Sequence, residues 1–179
     1  MPFTRVPLVA DEWGLQETLC YVCDPENPEG LRVPYFLDQL NGHIYAVFEP
    51  GNNHTGAPGV THGGIAMSLL DDGLAWSVVT NAHGLGLTKS ATFEFKRPLL
   101  VGGVYEVECW VNGDPAKKEI IGEGEIREKN GKEPGRVCLR VVSEFLYIIH
   151  ISDPTRRNHI SYAVLCLKKK WGGGGGGGG

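Results

Sequence analysis

Two groups that acyl-transfer chemistry can use lie near each other in this chain: the turn His62-Gly63-Gly64 and the carboxylate of Asp71. A helix start leaves backbone N–H groups without internal partners and carries partial positive charge. Because neither glycine has a side chain, a substrate carbonyl could reach those donors, which would stabilise developing oxyanion charge. Asp71 interrupts an otherwise apolar run, and none of its neighbours at helical spacing is charged. The spacing therefore predicts a site where a polarised carbonyl meets a carboxylate.

Each of these groups also has an ordinary structural interpretation. Asp71 and Asp72 could mark a solvated edge of the helix, and the paired glycines could form a tight turn required by backbone angles. Thr61 or His62 could cap the helix. For His62 we favour a packed, hydrogen-bonded structural role over that of a general base.

The helix that carries these groups is predicted to run from about residue 63 to residue 82 and to be closed by Gly84. Its apolar side chains fall on two opposite sides at about 100° per residue, so the helix should be enclosed. Gly64 and Asp71 are seven residues apart. That is about 10 Å along a helix axis, too far for both to act easily on one carbonyl carbon. A site that uses both groups requires two subunits, and we expect a homodimer or a dimer of dimers.

Strands are predicted on both sides of this helix. Alternating or apolar runs with turn residues between them indicate strands that cover one face of a core, and the last three should form an antiparallel meander. An apolar segment before the first strand could be a short helix. The fold class is therefore α+β, with one long central helix wrapped by an antiparallel β-sheet. The predicted strands are residues 43–48, 90–96, 104–111, 119–127 and 136–149, and the predicted short helix is residues 31–40.

The chain is expected to form a single domain. With 179 residues and 41% hydrophobic content, it can bury one sizeable core. We place that domain at residues 1–150, including an N-terminal extension. Residues 151–171 form a C-terminal extension in which residues 162–167 could be a short strand or part of a docked helix. The glycine run at 172–179 has no side chains to bury and is excluded from the fold.

Charge and composition narrow the classes of partner. The net charge of −4 comes without a concentrated basic face, which argues against nucleic-acid binding. No run approaches the roughly 20 apolar residues of a membrane span, and the first residues do not resemble a signal peptide. Five cysteines are an odd number for a secreted disulfide framework. We therefore expect reduced thiols and a cytoplasmic protein without a membrane partner.

The cysteines also raise the question of a metal. Cys20 and Cys23 have a spacing seen in zinc sites, but four ligands are usual and no second pair follows. Cys109, Cys138 and Cys166 stand alone within apolar segments. Packed thiols are the default interpretation, so neither a metal nor a cofactor is predicted.

A resemblance to a known family is carried by residues 59–64, with the sequence GVTHGG, and by residues 69–72, LLDD. These motifs resemble those of hot-dog-fold acyl-CoA thioesterases of the phenylacetate-degradation type, within the 4-hydroxybenzoyl-CoA thioesterase superfamily. The resemblance continues through Thr88 and residues 95–99 to Gly102 and covers roughly residues 40–149. The histidine, the two glycines and the acid at this spacing are its most specific part.

The resemblance implies roles for particular residues. Asp71 would be the catalytic carboxylate, acting as nucleophile or as base for water. The N–H of Gly64, with that of Gly63, would polarise the thioester carbonyl. Thr88 lies where relatives often have a serine or threonine near the attacking water, although an ordinary strand-start threonine is an equal alternative. Asp72, where relatives often have glutamate, is the second choice for the acid.

One departure from the family pattern concerns the second carbonyl contact. Many relatives have an asparagine or glutamine six residues before the histidine, and here that position is Gly56. If the loop at residues 51–58 carries a short insertion, Asn52, Asn53 or His54 could supply the contact instead.

Three functions are considered. The first is hydrolysis of an acyl-CoA, with the pantetheine arm between subunits and Lys96 and Arg97 as candidates to meet the phosphates, unless they are a solvated charge pair. The second is a hot-dog dehydratase or hydratase with His54 as a base. The third is a non-catalytic acyl-CoA-binding protein. A carboxylate within the helix favours hydrolysis over simple binding, which does not require an acid beside an electrophilic carbonyl.

Overall fold

The structure, a computed structural model, describes residues 5–10, 19–82, 84–114, 119–131 and 133–150. The predicted C-terminal extension at residues 151–171, the glycine tail and Cys166 lie outside these described residues. Within them, no helix is long and apolar enough to cross a membrane.

One long helix and a large antiparallel sheet make up the described fold. Seven strands form the main sheet in the order β1-β2-β3-β7-β8-β9-β6, and every neighbouring pair is antiparallel. A small second sheet pairs β4 with β5 just before the helix. The predicted architecture of a central helix wrapped by an antiparallel sheet is confirmed. The elements are β1 (Arg5–Pro7), β2 (Tyr35–Asp38), β3 (Ile44–Phe48), β4 (Thr55–Ala57), β5 (Val60–Thr61), α1 (Gly63–Ala82), β6 (Gly84–Phe95), β7 (Tyr105–Asp114), β8 (Glu119–Asn130) and β9 (Glu133–His150).

Helix α1 is enclosed over most of its length. Leu69, Leu70, Leu74 and Val78 are each 0% exposed, and full burial of one such side chain contributes about 1.5–3 kcal/mol. These residues point to different sides of the helix, as the two-sided apolar pattern predicts. The helix ends at Ala82, and Gly84, which was predicted to close it, is the first residue of β6.

Glycines let α1 lie unusually close to the sheet. A Cβ on Gly73 of α1 would lie 2.7 Å from Cys109 Sγ on β7. On β8, a Cβ on Gly122 would lie 2.9 Å from Leu74, and one on Gly124 would lie 3.0 Å from Cys109 Sγ. The helix and the sheet therefore approach each other at positions where a methyl group does not fit without a shift in its neighbours.

The predicted short helix at residues 31–40 was wrong, because this segment contains strand β2. Val33 precedes Pro34, and a residue before proline is disfavoured in the helical region. Tyr35 pairs with Ala46 of β3 and is 1% exposed, and its hydroxyl donates to the carbonyl of Leu69 at 2.7 Å. Pairing with β3 and burial against α1 thus decide the conformation of this segment.

The remaining strand predictions are confirmed, although their bounds differ. Strands β7, β8 and β9 are neighbours in the sheet, which is the predicted meander. Strand β6 begins directly after α1 and is longer than expected. It pairs with β9 alone among the described strands and forms one edge of the main sheet.

Candidate active site

The side chain of His62 caps α1. Its Nδ1 accepts the N–H of Gly64 at 2.9 Å, and its carbonyl accepts the N–H of Ile65 at 3.0 Å. These bonds satisfy orphan donors of the first helical turn. Thr61, the other candidate for the cap, is buried, and its Oγ1 has no hydrogen-bond partner among the described residues. His62 thus contributes a capping hydrogen bond at the start of α1 and has an exposed ring.

The two glycines of the turn differ in whether their N–H groups form hydrogen bonds. The N–H of Gly64, named first from the sequence, is bound to His62. Within the described part of the chain, the N–H of Gly63 forms no hydrogen bond, and this residue is only partly buried. Gly63 is therefore the glycine whose donor is available to a ligand at the helix start.

The loop before the helix is fixed to the turn by His54. The Nδ1 of His54 accepts the N–H of Gly51 at 2.9 Å, and its carbonyl accepts the N–H of His62 at 2.8 Å. The His54 ring also packs on Phe48, with 5.3 Å between the ring centroids. Asn53 is exposed on the same loop. His54 thus has structural contacts that hold the loop beside the helix start.

Position 56 has no room for the amide side chain that many thioesterases carry there. A Cβ on Gly56 would lie 2.9 Å from the Cα of His62 and 3.0 Å from its ring. A larger residue would require the His62 backbone to move. Position 56 therefore contributes no side-chain donor to the helix start.

Asp71 and Thr88 are brought together by the packing of β6 beside α1. The Thr88 hydroxyl donates to Asp71 Oδ1 at 2.7 Å, across 17 positions of sequence. Both side chains are exposed in this chain, so Asp71 lies on a solvated side of the helix. A hydroxyl bound to one carboxylate oxygen orients the carboxylate and leaves its other oxygen free to act on a substrate or water.

Asp72, the neighbouring acid, lies in a different environment. Its Oδ1 is 3.2 Å from Cys20 Sγ, and its Oδ2 is buried with no hydrogen-bond partner among the described residues. Burial, followed by the nearby Cys20, raises the pKa of the Asp72 carboxyl to about 8. Asp72 thus faces the loop at residues 19–34 and is not beside Thr88. Sequence reasoning did not associate Asp72 with the cysteines, because 52 positions separate it from Cys20.

Lys96 and Arg97 follow the end of β6 and are both exposed. Lys96 Nζ forms an ion pair with Glu94 at 2.9 Å, which lowers the pKa of Glu94. Arg97 Nη1 donates to the carbonyl of Val137 at 3.1 Å. Lys96 is therefore part of a surface charge pair, and most of the Arg97 donors remain available for another group.

Phe95 is a site residue that the sequence did not single out. Its ring atoms lie 3.2 and 3.3 Å from the position of a Cβ on Gly63, so the ring covers one side of the helix start. Phe95 is 53% exposed. An apolar side chain at the end of an edge strand was the one available signal for this role.

The groups of the site are separated along α1. Gly63 and Asp71 are eight residues apart in one continuous helix, which is about 12 Å along its axis. One chain therefore provides an N–H donor at one place and the Asp71–Thr88 pair at another.

Solved structures of proteins described as thioesterases, or encoded with phenylacetic acid degradation, share the fold of this chain. A structure described as a thioesterase superfamily protein matches with a TM-score of 0.64 and 22% identity, covering 79% of this chain and 67% of that one. A hypothetical thioesterase from Streptococcus pneumoniae, solved with coenzyme A, matches with a TM-score of 0.54 and 15% identity, covering 62% and 81%. The Escherichia coli PaaI protein from the phenylacetic acid degradation operon matches with a TM-score of 0.51 and 15% identity, covering 58% and 75%. The predicted hot-dog fold is confirmed.

Sequence comparison adds one further similarity. An uncharacterized Schizosaccharomyces pombe protein is 24% identical over 123 residues, which is 63% of this chain and 64% of that protein. This chain thus spans less than two thirds of that relative. No protein-family model matches the chain.

Proposed function

We propose that the protein hydrolyses an acyl-CoA thioester to a free acid and CoA. The observation that carries this proposal is the hydrogen bond between Thr88 and Asp71, on the helix that also presents the Gly63 N–H at its start. The fold supports it, since the Streptococcus pneumoniae protein of the same fold was solved with coenzyme A. Variants of that protein with an aspartate or a threonine changed to alanine have also been solved.

In the proposed reaction, the thioester carbonyl binds at the helix start and Asp71 acts on it from the other side. Asp71 either attacks the carbonyl carbon or takes a proton from the attacking water, and Thr88 fixes the carboxylate in both cases. The new C–O bond forms while negative charge develops on the carbonyl oxygen. Collapse breaks the C–S bond and releases the CoA thiolate, which takes up a proton. When Asp71 acts as a base, the oxygen of the attacking water remains in the acid product and the proton on Asp71 passes to the thiolate or to solvent. When Asp71 attacks, water hydrolyses the acyl–Asp71 anhydride, which releases the acid and restores the carboxylate.

The oxyanion donors we propose are the N–H of Gly63 and the ring of His62. Gly63 is favoured over Gly64 because the Gly64 N–H is already bound to His62 Nδ1. Since Nδ1 accepts that bond, the neutral ring carries its proton on Nε2 and can donate it. The exposed His62 ring could thus replace the amide that Gly56 lacks.

We propose that each site is shared between two subunits. A distance of about 12 Å along α1 separates Gly63 from Asp71 in one chain, so the donor and the acid would come from different chains. Strand β6 supports this arrangement, because it forms an edge of the main sheet and most of its residues are exposed. An unpaired edge of this length is a ready template for pairing with a second chain. A dimer of dimers is compatible with the same contact.

The substrate headgroup is proposed to meet Arg97 at the rim of the site. Its guanidinium is exposed and has donors left for a phosphate, whereas Lys96 is paired with Glu94.

The free thiols Cys20, Cys23, Cys109 and Cys138 fit the reducing cytoplasm that we propose as the location.

The test is the release of free thiol from a panel of short-chain, long-chain and aromatic acyl-CoAs. We expect Asp71→Asn to lower kcat by about 10²–10⁴-fold, the usual contribution of an acid or base. Thr88→Val, which removes the hydroxyl at nearly constant volume, should cause a smaller loss. Glu26→Gln changes an exposed carboxylate of the loop at residues 19–34 and serves as the matched control. All variants are compared at the same oligomeric state.

The same assay separates the alternatives. Loss of enoyl-thioester absorbance without thiol release by the unmodified protein would favour a hydratase. Binding of CoA without turnover of any substrate would favour a binding protein. Undiminished thiol release by Asp71→Asn would show that hydrolysis does not depend on this acid.

A further inference from the structure

Three groups that ligate metals converge where the loop at residues 19–34 meets helix α1. The Sγ atoms of Cys20 and Cys23 and a carboxylate oxygen of Asp72 all lie within 4.8 Å of one another. The distance from Cys20 Sγ to Asp72 Oδ1 is 3.2 Å. None of these side chains takes part in the proposed hydrolysis.

The backbone around Cys20 is arranged to favour its thiolate. The N–H groups of Val22 and Cys23 both point at Cys20 Sγ, each at 3.4 Å. Two N–H donors on one sulfur stabilise negative charge there, and the thiolate is the form of cysteine that binds metals.

The loop is held in place by its own backbone hydrogen bonds and by packed valines. The N–H of Val33 donates to the carbonyl of Val22 at 2.8 Å, and the N–H of Leu31 donates to the carbonyl of Tyr21 at 2.7 Å. Val22 and Val33 are 6% and 4% exposed. The two sulfurs are therefore presented to α1 by packed backbone, which reduces the ordering cost of binding an ion.

Asp72 offers an oxygen that needs a partner. Its Oδ2 is buried and forms no hydrogen bond with the described residues. Leaving a carboxylate oxygen buried and unpaired is unfavourable. A cation beside the two sulfurs would provide the missing interaction.

We propose that Cys20, Cys23 and Asp72 bind a zinc-type divalent cation, with a fourth position open to water. Zn–S bonds of about 2.3 Å place two sulfurs of a tetrahedral site about 3.8 Å apart, so the observed cluster needs only small side-chain adjustments. Two thiolates select zinc over magnesium and calcium, which prefer oxygen ligands. Any protons on the three ligands are released to solvent on binding. The ion would join the loop to α1 at Asp72, the residue that follows Asp71, and so hold the helical turn that carries the proposed catalytic carboxylate.

The first experiment is a titration of the reduced, chelator-treated full chain with Co²⁺, a spectroscopic substitute for zinc. We expect one equivalent to produce thiolate-to-cobalt charge-transfer absorption together with the intense visible bands of a four-coordinate ion. Adding Zn²⁺ should abolish both signals. Absence of charge-transfer absorption in protein whose thiols are shown to be reduced would overturn the proposal.

Variants assign the ligands. Cys23→Ser and Asp72→Asn should each weaken Co²⁺ binding by at least about tenfold, since loss of even a supporting residue costs 10–100-fold in affinity. Asp71→Asn changes the adjacent, exposed carboxylate and should leave the cobalt spectrum and affinity unchanged. Unaltered spectra and affinities in both ligand variants would assign the cobalt to other residues and overturn the proposal.

A measurement on the unmodified chain covers the case in which a variant fails to fold. Zn²⁺ should protect Cys20 and Cys23 from alkylation, as read by peptide mass spectrometry. Equal alkylation with and without Zn²⁺ would contradict the site. So would a failure to bind metal after a Cys20–Cys23 disulfide has been reduced. These readouts do not depend on thioester hydrolysis, so the two proposals fail independently.

Discussion

At the scale of single residues, two adjacent acids have different surroundings and different chemistry. Asp71 is exposed and accepts a hydrogen bond from Thr88, whereas Asp72 points to Cys20 and has a buried oxygen without a partner. Successive residues of a helix differ by about 100° in direction, so one turn can serve a solvent-facing site and a buried cluster at once. Asp72 therefore faces away from Thr88, and we expect it to be a poor replacement for Asp71 in the proposed reaction.

The two roles of His62 can be separated by substitution. His62→Ala removes the cap and should lower the free energy of unfolding by about 0.5–2 kcal/mol, whereas His62→Asn restores an N-cap acceptor and should be nearly as stable as the unmodified protein. If Nε2–H is a carbonyl donor, both variants should lose about tenfold or more in kcat. Urea unfolding and thiol release check the two effects. Full activity of His62→Asn would limit this histidine to capping.

At the scale of elements, the position of α1 depends on small residues facing each other. A Cβ on Gly73 of α1 would lie 2.7 Å from the Cys109 sulfur and one on Gly124 of β8 would lie 3.0 Å from it. Tyr35 of β2 lies beside Gly73 and donates to the helix carbonyl of Leu69. Close packing of this kind fixes the distance between helix and sheet. That distance also determines whether Thr88 of β6 can reach Asp71.

Gly73→Ala tests this close approach. Alanine improves helix propensity by about 1 kcal/mol, but its Cβ would lie 2.7 Å from Cys109 Sγ. Overpacking typically costs about 1–3 kcal/mol, so we expect a net loss in the free energy of unfolding. The double variant Gly73→Ala/Cys109→Ala removes the sulfur. Its loss in the free energy of unfolding should be smaller than the sum of the losses in the two single variants. A stabilised Gly73→Ala protein, measured by urea unfolding, would show that the helix is not confined there.

At the scale of the whole molecule, β6 is a long edge strand of the main sheet among the described residues, and the proposed donor and acid lie apart within one chain. Strand β6 carries Thr88 and, at its end, Phe95 beside the helix start. A two-fold contact along this edge would bring the helix start of each subunit toward the acid of the other. Catalytic activity would then depend on dimer formation.

Mixing two inactive variants tests the shared site. Gly63→Pro deletes the proposed donor at the first helical position, where proline is well tolerated, and Asp71→Asn deletes the acid. After unfolding and refolding an equal mixture, we expect about a quarter of the unmodified rate, because half of the dimers are mixed and each has one intact site out of two. The variants refolded separately are the controls. A mixture no more active than the separate proteins would place donor and acid in one chain.

Features that depend on local physics could be predicted from the sequence. The apolar periodicity predicted α1 at residues 63–82 and alternation predicted the meander, because each is encoded by neighbours along the chain. The glycine turn with Asp71 predicted a carbonyl site, which stays a prediction. Tertiary structure decided the rest. It made residues 35–38 a strand through pairing with β3, and it joined Thr88 to Asp71 and Cys20 to Asp72. Such contacts depend on how elements pack across long stretches of sequence, which no local pattern records.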